Sequence, residues 1–253
     1  MSKGYCLPMS VWTDIGDFLS SIASDAFSNV VESIRTVFEG DAETRRRVAF
    51  SVAIIALSAK MAKADGIVTD DEVEAFQQIF SIPPDELNNV ARVYNLAKQD
   101  VAGFESYASQ VRKLFPGDQP EDDDVLRDVI EALFHIAKAD GLMHENEFSF
   151  LEEIAVRFGF SAQDFENMQF RHVEGEGCDP YCVLEADPSW PFDKLKSHYR
   201  KKAAENHPDR LIARGVPEEF IVIANERLAA INAAWEKVQN LHRGKISEDA
   251  LAT

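Results

Sequence analysis

Apolar side chains recur every three or four residues along most of this chain of 253 residues. Side chains at that spacing share one face of an α-helix, whereas a half-buried strand alternates apolar and polar residues. No stretch of the sequence shows a convincing alternation, so we predict an all-α protein. The clearest stripes are Val11, Ile15, Phe18, Ile22, Val30, Ile34 and Val37, then Phe192, Leu195, Tyr199 and Ala203, and finally Phe220, Ala224, Leu228, Ile231, Trp235 and Val238.

The first stripe predicts one amphipathic helix that ends at Gly40. Two interpretations of this helix stay open. In the first it packs onto the rest of the N-terminal part; in the second its stripe, with Trp12 and Phe18, mediates dimerisation or weak peripheral membrane contact. The most apolar stretch of the chain, 48–59, is shorter than the roughly 20 residues of a membrane-spanning helix. We predict that it is a buried core helix and that there is no transmembrane segment.

Acidic residues outnumber basic ones by 44 to 26, and the formal net charge is −18. This balance argues against nucleic-acid binding, which needs Lys and Arg to neutralise phosphates, and against a polybasic membrane-surface protein. Three cysteines, Cys6, Cys178 and Cys182, are too few for a disulfide framework. We therefore expect a reducing compartment, the cytoplasm. Cys178 and Cys182 with His172 lack a fourth zinc ligand, so no metal site is expected there.

The charge is divided unevenly between two parts of the chain. Residues 1–177 contain 32 acidic and 15 basic residues, whereas residues 178–253 contain 12 and 11. Glycine and proline without apolar periodicity mark a break near 172–180. We predict an N-terminal helix at 1–40, a helical domain at 41–171, a linker at 172–178, a second domain at 179–244 and a tail at 245–253. Within the helical domain, 145–158 is a predicted helix and 121–124 a solvated loop that begins another.

A five-residue motif occurs twice in the helical domain. Ala-Lys-Ala-Asp-Gly occupies 62–66 and 137–141, and in each copy a glutamate follows the aspartate by seven residues. The duplicated motif resembles the TerB-like domain, an all-helical module of two related halves, and the resemblance covers 42–171. One hypothesis is that a glutamate such as Glu72 only closes a helix N-terminus, three residues after Thr69. The other is an ion site, although two oxygen ligands of an EF-hand loop are missing; its ligands would be Asp65, Glu72, Asp140 and Glu147.

Residues 179–241 carry a longer and more specific pattern. Asp-Pro-Tyr-x-x-Leu begins at Asp179, a helix rich in Lys and Arg follows, then His207-Pro208-Asp209, and Ile-Asn-Ala-Ala-Trp-Glu begins at Ile231. This pattern resembles the J domain of DnaJ-type co-chaperones, and together with the TerB-like part it is similar to the DjlA branch of that family. The chain departs from the family in two respects. It has an amphipathic stretch where DjlA-type proteins usually have a transmembrane helix, and Leu228 stands where many J domains have phenylalanine.

The resemblance implies two long antiparallel helices that pack through their stripes, with His-Pro-Asp on the loop between them. It implies a co-chaperone that docks on a DnaK-type ATPase and stimulates ATP hydrolysis, while the TerB-like part selects clients or partners. The chain itself would have no catalytic residue, cofactor or metal. The alternative is a metal- or stress-responsive adaptor that binds an ion and recruits chaperone. The resemblance assigns chaperone binding to His207, Pro208, Asp209, Lys196, Arg200, Lys201 and Arg210.

Overall fold

The structure is a computed structural model that describes residues 11–21, 30–37, 41–65, 82–99, 103–115, 117, 122–138, 143–172 and 179–251. Every regular element in these ranges is a helix, so the predicted all-α class is confirmed. A short 3₁₀ helix, Glu218–Phe220, precedes the last α-helix. The α-helices are α1 (Val11–Ser21), α2 (Val30–Val37), α3 (Ala42–Asp65), α4 (Leu87–Gln99), α5 (Phe104–Leu114), α6 (Asp122–Ala137), α7 (Glu145–Phe158), α8 (Ala162–His172), α9 (Pro180–Leu184), α10 (Phe192–Glu205), α11 (Pro208–Ala213) and α12 (Ile221–Leu251).

Helix α3 is the centre of an N-terminal bundle. From Val48 to Met61 every side chain is buried, even that of Lys60. Helices α1, α2 and α4 to α7 pack around it. Because a helix that is apolar on all sides has no face for solvent, it must be enclosed by its neighbours, and the predicted core helix is confirmed. Within the described ranges, no helix combines the length and the apolar content needed to cross a membrane.

The predicted single helix from residue 11 to Gly40 is wrong. Two helices, α1 and α2, occupy this stretch and contact each other. A helix rises 1.5 Å per residue, so segments this far apart in one straight helix could not touch. Periodicity identified the buried face of α1 but not its end, and in α2 Ile34 is buried whereas Val37 is exposed. The apolar stripe of α1 is covered by other parts of the chain. This supports the interpretation that the helix packs onto the N-terminal part, because little of the stripe is left to contact a membrane or a second copy. Its buried members are Val11, Trp12, Ile15, Phe18 and Leu19.

Helices α9, α10 and α12 form a second, smaller core. Leu195 of α10 and Val238 of α12 are buried there, and the rings of Tyr199 and Trp235 stack with their centroids 4.8 Å apart. Asp179 caps the start of helix α9, since its carboxylate accepts the N–H of Tyr181 at 2.9 Å. Residues 173–178 of the predicted linker lie outside the described residues. Helix α12 continues to Leu251, so residues 245–251, expected in a tail, have helical backbone.

The stripe that reaches from Phe220 along α12 is divided between the two cores, whereas the resemblance implied that it packs on the other long helix, α10. Its later part, from Ile231, lies in the smaller core. Its earlier part, with Phe220 and Ala224, lies in the core of the N-terminal bundle. The physical reason is length: α10 has 14 residues and α12 has 31, so α10 covers only part of its partner. The ring of Phe220 meets Phe50 of α3 edge to face, at 4.8 Å between centroids.

Candidate functional site

His207, Pro208 and Asp209 begin the short helix α11, whereas the sequence predicted a loop. His207 has extended backbone (φ −70°, ψ 139°), and Pro208 is the first helical residue. Proline suits this position because its φ already matches the helix and its missing N–H leaves no bond unmade. The N–H of Asp209 donates to Nδ1 of His207 at 3.3 Å, and the N–H of Arg210 donates to the His207 carbonyl at 2.8 Å. Local hydrogen bonds therefore fix the shape of the motif.

The side chains of the motif face solvent. His207 is 53% exposed and Asp209 is 86% exposed, with the Asp209 carboxylate 3.5 Å from Nδ1 of His207. Because Nδ1 accepts the N–H of Asp209, we place the ring proton on Nε2. In the part of the chain that the structure describes, Nε2 has no hydrogen-bond partner. The motif thus offers a partner one hydrogen-bond donor and one anion, two residues apart.

Helix α10 carries a cationic face that leads to the motif. Lys196 and Arg200 are exposed and lie one turn apart on the same side of the helix. Neither forms an ion pair with any described residue, and Lys201 forms only a surface pair with Glu205 at 3.7 Å. Arg210, in α11, is exposed as well. The structure places six of the seven predicted site residues on two consecutive helices, and the seventh, His207, is the residue that caps the start of the second.

Two further lysines of α10 are engaged by the chain itself. The ammonium of Lys194 lies 3.7 Å from the centroid of the Trp190 ring. Lys202 contacts the carboxylate of Glu185, which also pairs with Arg171 at 2.9 Å. Burial raises the pKa of Glu185, but Lys202 and Arg171 lower this pKa by more. Lys202 therefore holds α10 to α9 instead of adding to the cationic face.

Helix α6 presents three carboxylates that sequence reasoning missed as a group: Asp124, Asp128 and Glu131. They are spaced four and three residues apart, which places them on one face, and Asp128 and Glu131 are buried. This polar spacing within an otherwise apolar helix was the signal that could have revealed them. Their partners are arginines from other helices and from the turn after α11: Arg214 with Asp124 (2.9 Å) and Asp128 (3.3 Å), Arg227 with Asp128 (2.6 Å), and Arg171 with Glu131 (2.5 Å).

The acidic run 121–124 differs at one residue from the solvated loop and helix start that we predicted. Asp122 is buried and pairs with Arg46 at 2.7 Å. Asp123 does fit the prediction, since it is 65% exposed and pairs with Arg112 at 2.8 Å. Glu121 lies outside the described residues. The run begins α6, where carboxylates are favoured by the helix dipole, and Asp124 is exposed as well. Of the three described carboxylates only that of Asp122 points into the protein.

The repeated motif lies largely outside the described residues, including Glu72, Asp140 and the side chain of Asp65. Glu147 is described and buried, and its carboxylate accepts the N–H of His144 at 2.9 Å. This bond closes the start of α7, which is the helix-capping hypothesis for the motif. Among the described side chains, no three of His, Cys, Asp or Glu are grouped closely enough to hold a metal ion.

Mild acid is expected to destabilise the fold through His172. Its buried ring is stacked on Phe134, Nε2 lies 2.5 Å from the Glu131 carboxylate, and Nδ1 has no described partner. Burial lowers the pKa of His172, against the raising effect of Glu131 and with smaller lowering effects of Lys138 and Arg171. The unfolded chain therefore binds more protons below about pH 6.5. The free energy of unfolding should fall as the pH drops from about 7 to about 5.5.

Urea denaturation at these two pH values measures the effect. Carboxylates with ordinary pKa values titrate below this range. Burial raises the pKa of Asp128, and the comparison with His172→Gln separates the contribution of His172 from that of Asp128. His172→Gln should reduce the loss of stability, whereas His207→Gln, at an exposed ring, should leave it unchanged. An equal loss in wild type and in His172→Gln would contradict the prediction.

Comparisons with known proteins give a family match within the N-terminal bundle and relatives that align with most of the chain. The family model described as tellurite resistance protein TerB matches residues 51–170. "Co-chaperone protein DjlA" of Photobacterium profundum is 29% identical over 220 residues, which cover 77% of this chain and 78% of the relative. The protein of that name from Haemophilus ducreyi is 28% identical over 243 residues, 81% of this chain and 83% of the relative.

No solved structure matches the chain. The two relatives bear the name of co-chaperones, and the TerB match falls on the N-terminal bundle. The chain also has the His-Pro-Asp motif at the start of an exposed helix and a cationic helix before it. We therefore conclude that the chain is a DjlA-like co-chaperone with a TerB-like domain.

Proposed function

We propose that this co-chaperone docks on a DnaK-type chaperone and stimulates its ATP hydrolysis. The single observation that carries the proposal is the exposure of His207 and Asp209 at the start of α11, beside cations that lack an intramolecular partner among the described residues. In a protein with a net charge of −18, this local cationic surface is the exception. The proposed docking site consists of His207, Pro208, Asp209, Lys196, Arg200, Lys201 and Arg210.

The chemistry of the site suggests how docking proceeds. Lys196 and Arg200 attract an acidic patch on the partner, which raises the association rate at low salt. The Nε2–H of His207 then donates to an acceptor of the partner, and the carboxylate of Asp209 accepts from a donor or pairs with a cation. ATP is hydrolysed in the site of the partner, so this chain acts as an activator. The TerB-like domain selects the client or partner that is brought to the chaperone.

We expect His207→Gln to abolish stimulation of ATP hydrolysis without unfolding the protein. The substitution removes the ring that both caps α11 and offers the Nε2–H, while the exposed position tolerates an amide. The measurement is single-turnover ATP hydrolysis by the DnaK-type chaperone of the same cell, with thermal unfolding as the check on folding. Stimulation by the folded variant equal to that by wild type would exclude the proposed role of the motif.

A charge-reversal pair separates specific docking from general charge effects. Lys196→Glu removes one cation of the proposed site, and Lys98→Glu makes the same change at an exposed lysine of α4. Lys196→Glu should raise the concentration needed for half-maximal stimulation and weaken its dependence on salt. Lys98→Glu should change neither quantity.

A further inference from the structure

The His-Pro-Asp segment is anchored at both ends to one face of the TerB-like helix α6. Its first anchor is Asn206, the residue directly before His207. Arg227 of α12 donates from Nη1 to Oδ1 of Asn206 at 3.2 Å and to Oδ1 of Asp128 at 2.6 Å. The amide nitrogen of Asn206 donates to the carbonyl of Lys202 at 2.8 Å. A single guanidinium thus connects the end of α10 to α6.

The second anchor is Arg214, directly after α11. Its guanidinium lies 2.9 Å from Asp124 and 3.3 Å from Asp128 of the same helix α6. Its carbonyl accepts a hydrogen bond from Nε of Arg46 in α3 at 3.3 Å. Gly215 follows with φ +90°, and a Cβ there would lie 3.2 Å from Cβ of Arg46. The backbone after α11 therefore approaches the bundle closely, in a conformation that favours glycine.

The anchoring pair is buried, which makes its geometry restrictive. Asp128 is 1% exposed and Arg227 is 5% exposed. Charges that have lost their water are stable only when a partner stays in place, so α12 cannot move away from α6 without separating this pair at high cost. A displacement of α11 would pull Arg214 away from Asp124 and Asp128 of the same face. Leu211 in the middle of α11 is also buried in the core of the bundle. The exposed motif thus stands on a rigid, buried support.

We propose that Asp128, Arg227 and Asn206 are positioning residues for the docking site, which the TerB-like bundle preorganises for the chaperone. The expected effect of these residues on the chaperone rests on the proposed function. Their effect on the order of the His-Pro-Asp segment can be measured without a partner. A segment already ordered before binding loses less conformational freedom on docking. Loosening the support should weaken docking while the maximal stimulation at saturating concentration is kept.

Asn206→Ala is the most selective test, because it removes the acceptor next to His207 and leaves the buried ion pair intact. Asp128→Asn is the second variant, since it keeps the shape of the side chain and removes its charge. The matched control is Asn167→Ala, at a half-buried asparagine of α8 that accepts from Gln163 at 3.3 Å. All variants are made in the full chain.

The first measurement is amide hydrogen exchange. In Asn206→Ala and Asp128→Asn, exchange over residues 207–214 should accelerate about tenfold or more, as expected for a lost hydrogen bond to a charged group, while exchange over α7 stays unchanged. The control should match wild type in both regions. Unchanged exchange over 207–214, or equal acceleration in all helices, would contradict the proposal that these residues hold the segment in place.

The second measurement is chaperone stimulation as a function of concentration. Asn206→Ala should raise the half-maximal concentration several-fold and preserve the maximal rate. If exchange accelerates over 207–214 but the half-maximal concentration stays at the wild-type value, the positioning role is wrong. If wild type itself gives no stimulation, the proposed function fails, and the exchange result alone decides whether the support exists.

Discussion

Replacement of Phe220 by alanine is expected to lower the free energy of unfolding by about 3–5 kcal/mol. The ring is wholly buried and meets Phe50 edge to face. Truncation removes apolar contacts and leaves a cavity between α3 and the start of α12, which tightly packed neighbours fill only in part. Because Phe220 directly precedes α12, which contributes to both cores, the loss of stability should affect the unfolding of both parts of the chain.

Urea denaturation followed by circular dichroism measures the change. The matched control is Leu241→Ala, on α12 itself, where the side chain is 51% exposed; its cost should stay within about 0.5 kcal/mol. We also expect one cooperative transition in wild type, since α12 contributes to both cores. A variant that unfolds in two steps, with the N-terminal bundle as stable as in wild type, would show that the shared core does not couple the two parts.

The elements that the sequence predicted well are those with strong local signals. The predicted helix 145–158 agrees with α7, because an acidic first turn begins it and Gly159, at φ 92°, ends it in the left-handed region. The central helix α3 was also predictable, since its apolar stretch leaves it no solvent face. In both cases the residues of the element themselves decide the outcome.

The sequence could not predict which helix packs against which face of another helix. The stripe that begins at Phe220 reads as continuous, and only the length of α10 shows that its first part needs another partner. The same holds for the cationic helix. Lys196 and Lys202 look equivalent in sequence, but Lys202 meets Glu185 because α9 ends beside α10. The exposed motif at His207 followed from the resemblance, whereas its support did not.

The support was beyond sequence reasoning because its members are far apart in the chain. Asp128 and Arg227 are separated by 99 residues, and their hydrogen bond is 2.6 Å long. The spacing of the carboxylates on α6 marks one polar face, but it does not say whether that face meets water, a metal ion or arginines. Three-dimensional packing alone decides between these outcomes.

Replacement of Glu131 by glutamine is expected to destabilise the protein by about 3–5 kcal/mol, the cost of breaking a buried ion pair. The carboxylate is wholly buried, 2.5 Å from Arg171 and 3.6 Å from Nε of Arg227. Burial raises the pKa of Glu131, but Arg171, Arg227 and His172 lower this pKa by more, to well below its ordinary value. The group is therefore ionised at neutral pH, and glutamine keeps its shape but not its charge.

The measurement is urea denaturation near pH 7, with Glu153→Gln as the matched control. Glu153 pairs with Arg157 one turn away on the surface, at 2.8 Å, and an exposed pair of this kind contributes at most about 0.5 kcal/mol. The two variants make the same chemical change on neighbouring helices. A similar small loss in both would mean that burial does not strengthen the interactions of Glu131.

A double variant tests whether the loss comes from an unbalanced charge. Glu131→Gln leaves the guanidinium of Arg171 with Glu185 as its remaining anion, 2.9 Å away. Adding Arg171→Gln removes that excess charge, so the double variant should be less destabilised than the sum of the single variants, by about 1–3 kcal/mol. Additive losses would show that each side chain acts by packing alone. A smaller combined loss would mean that the charges on α6 and α8 stabilise the fold as a pair.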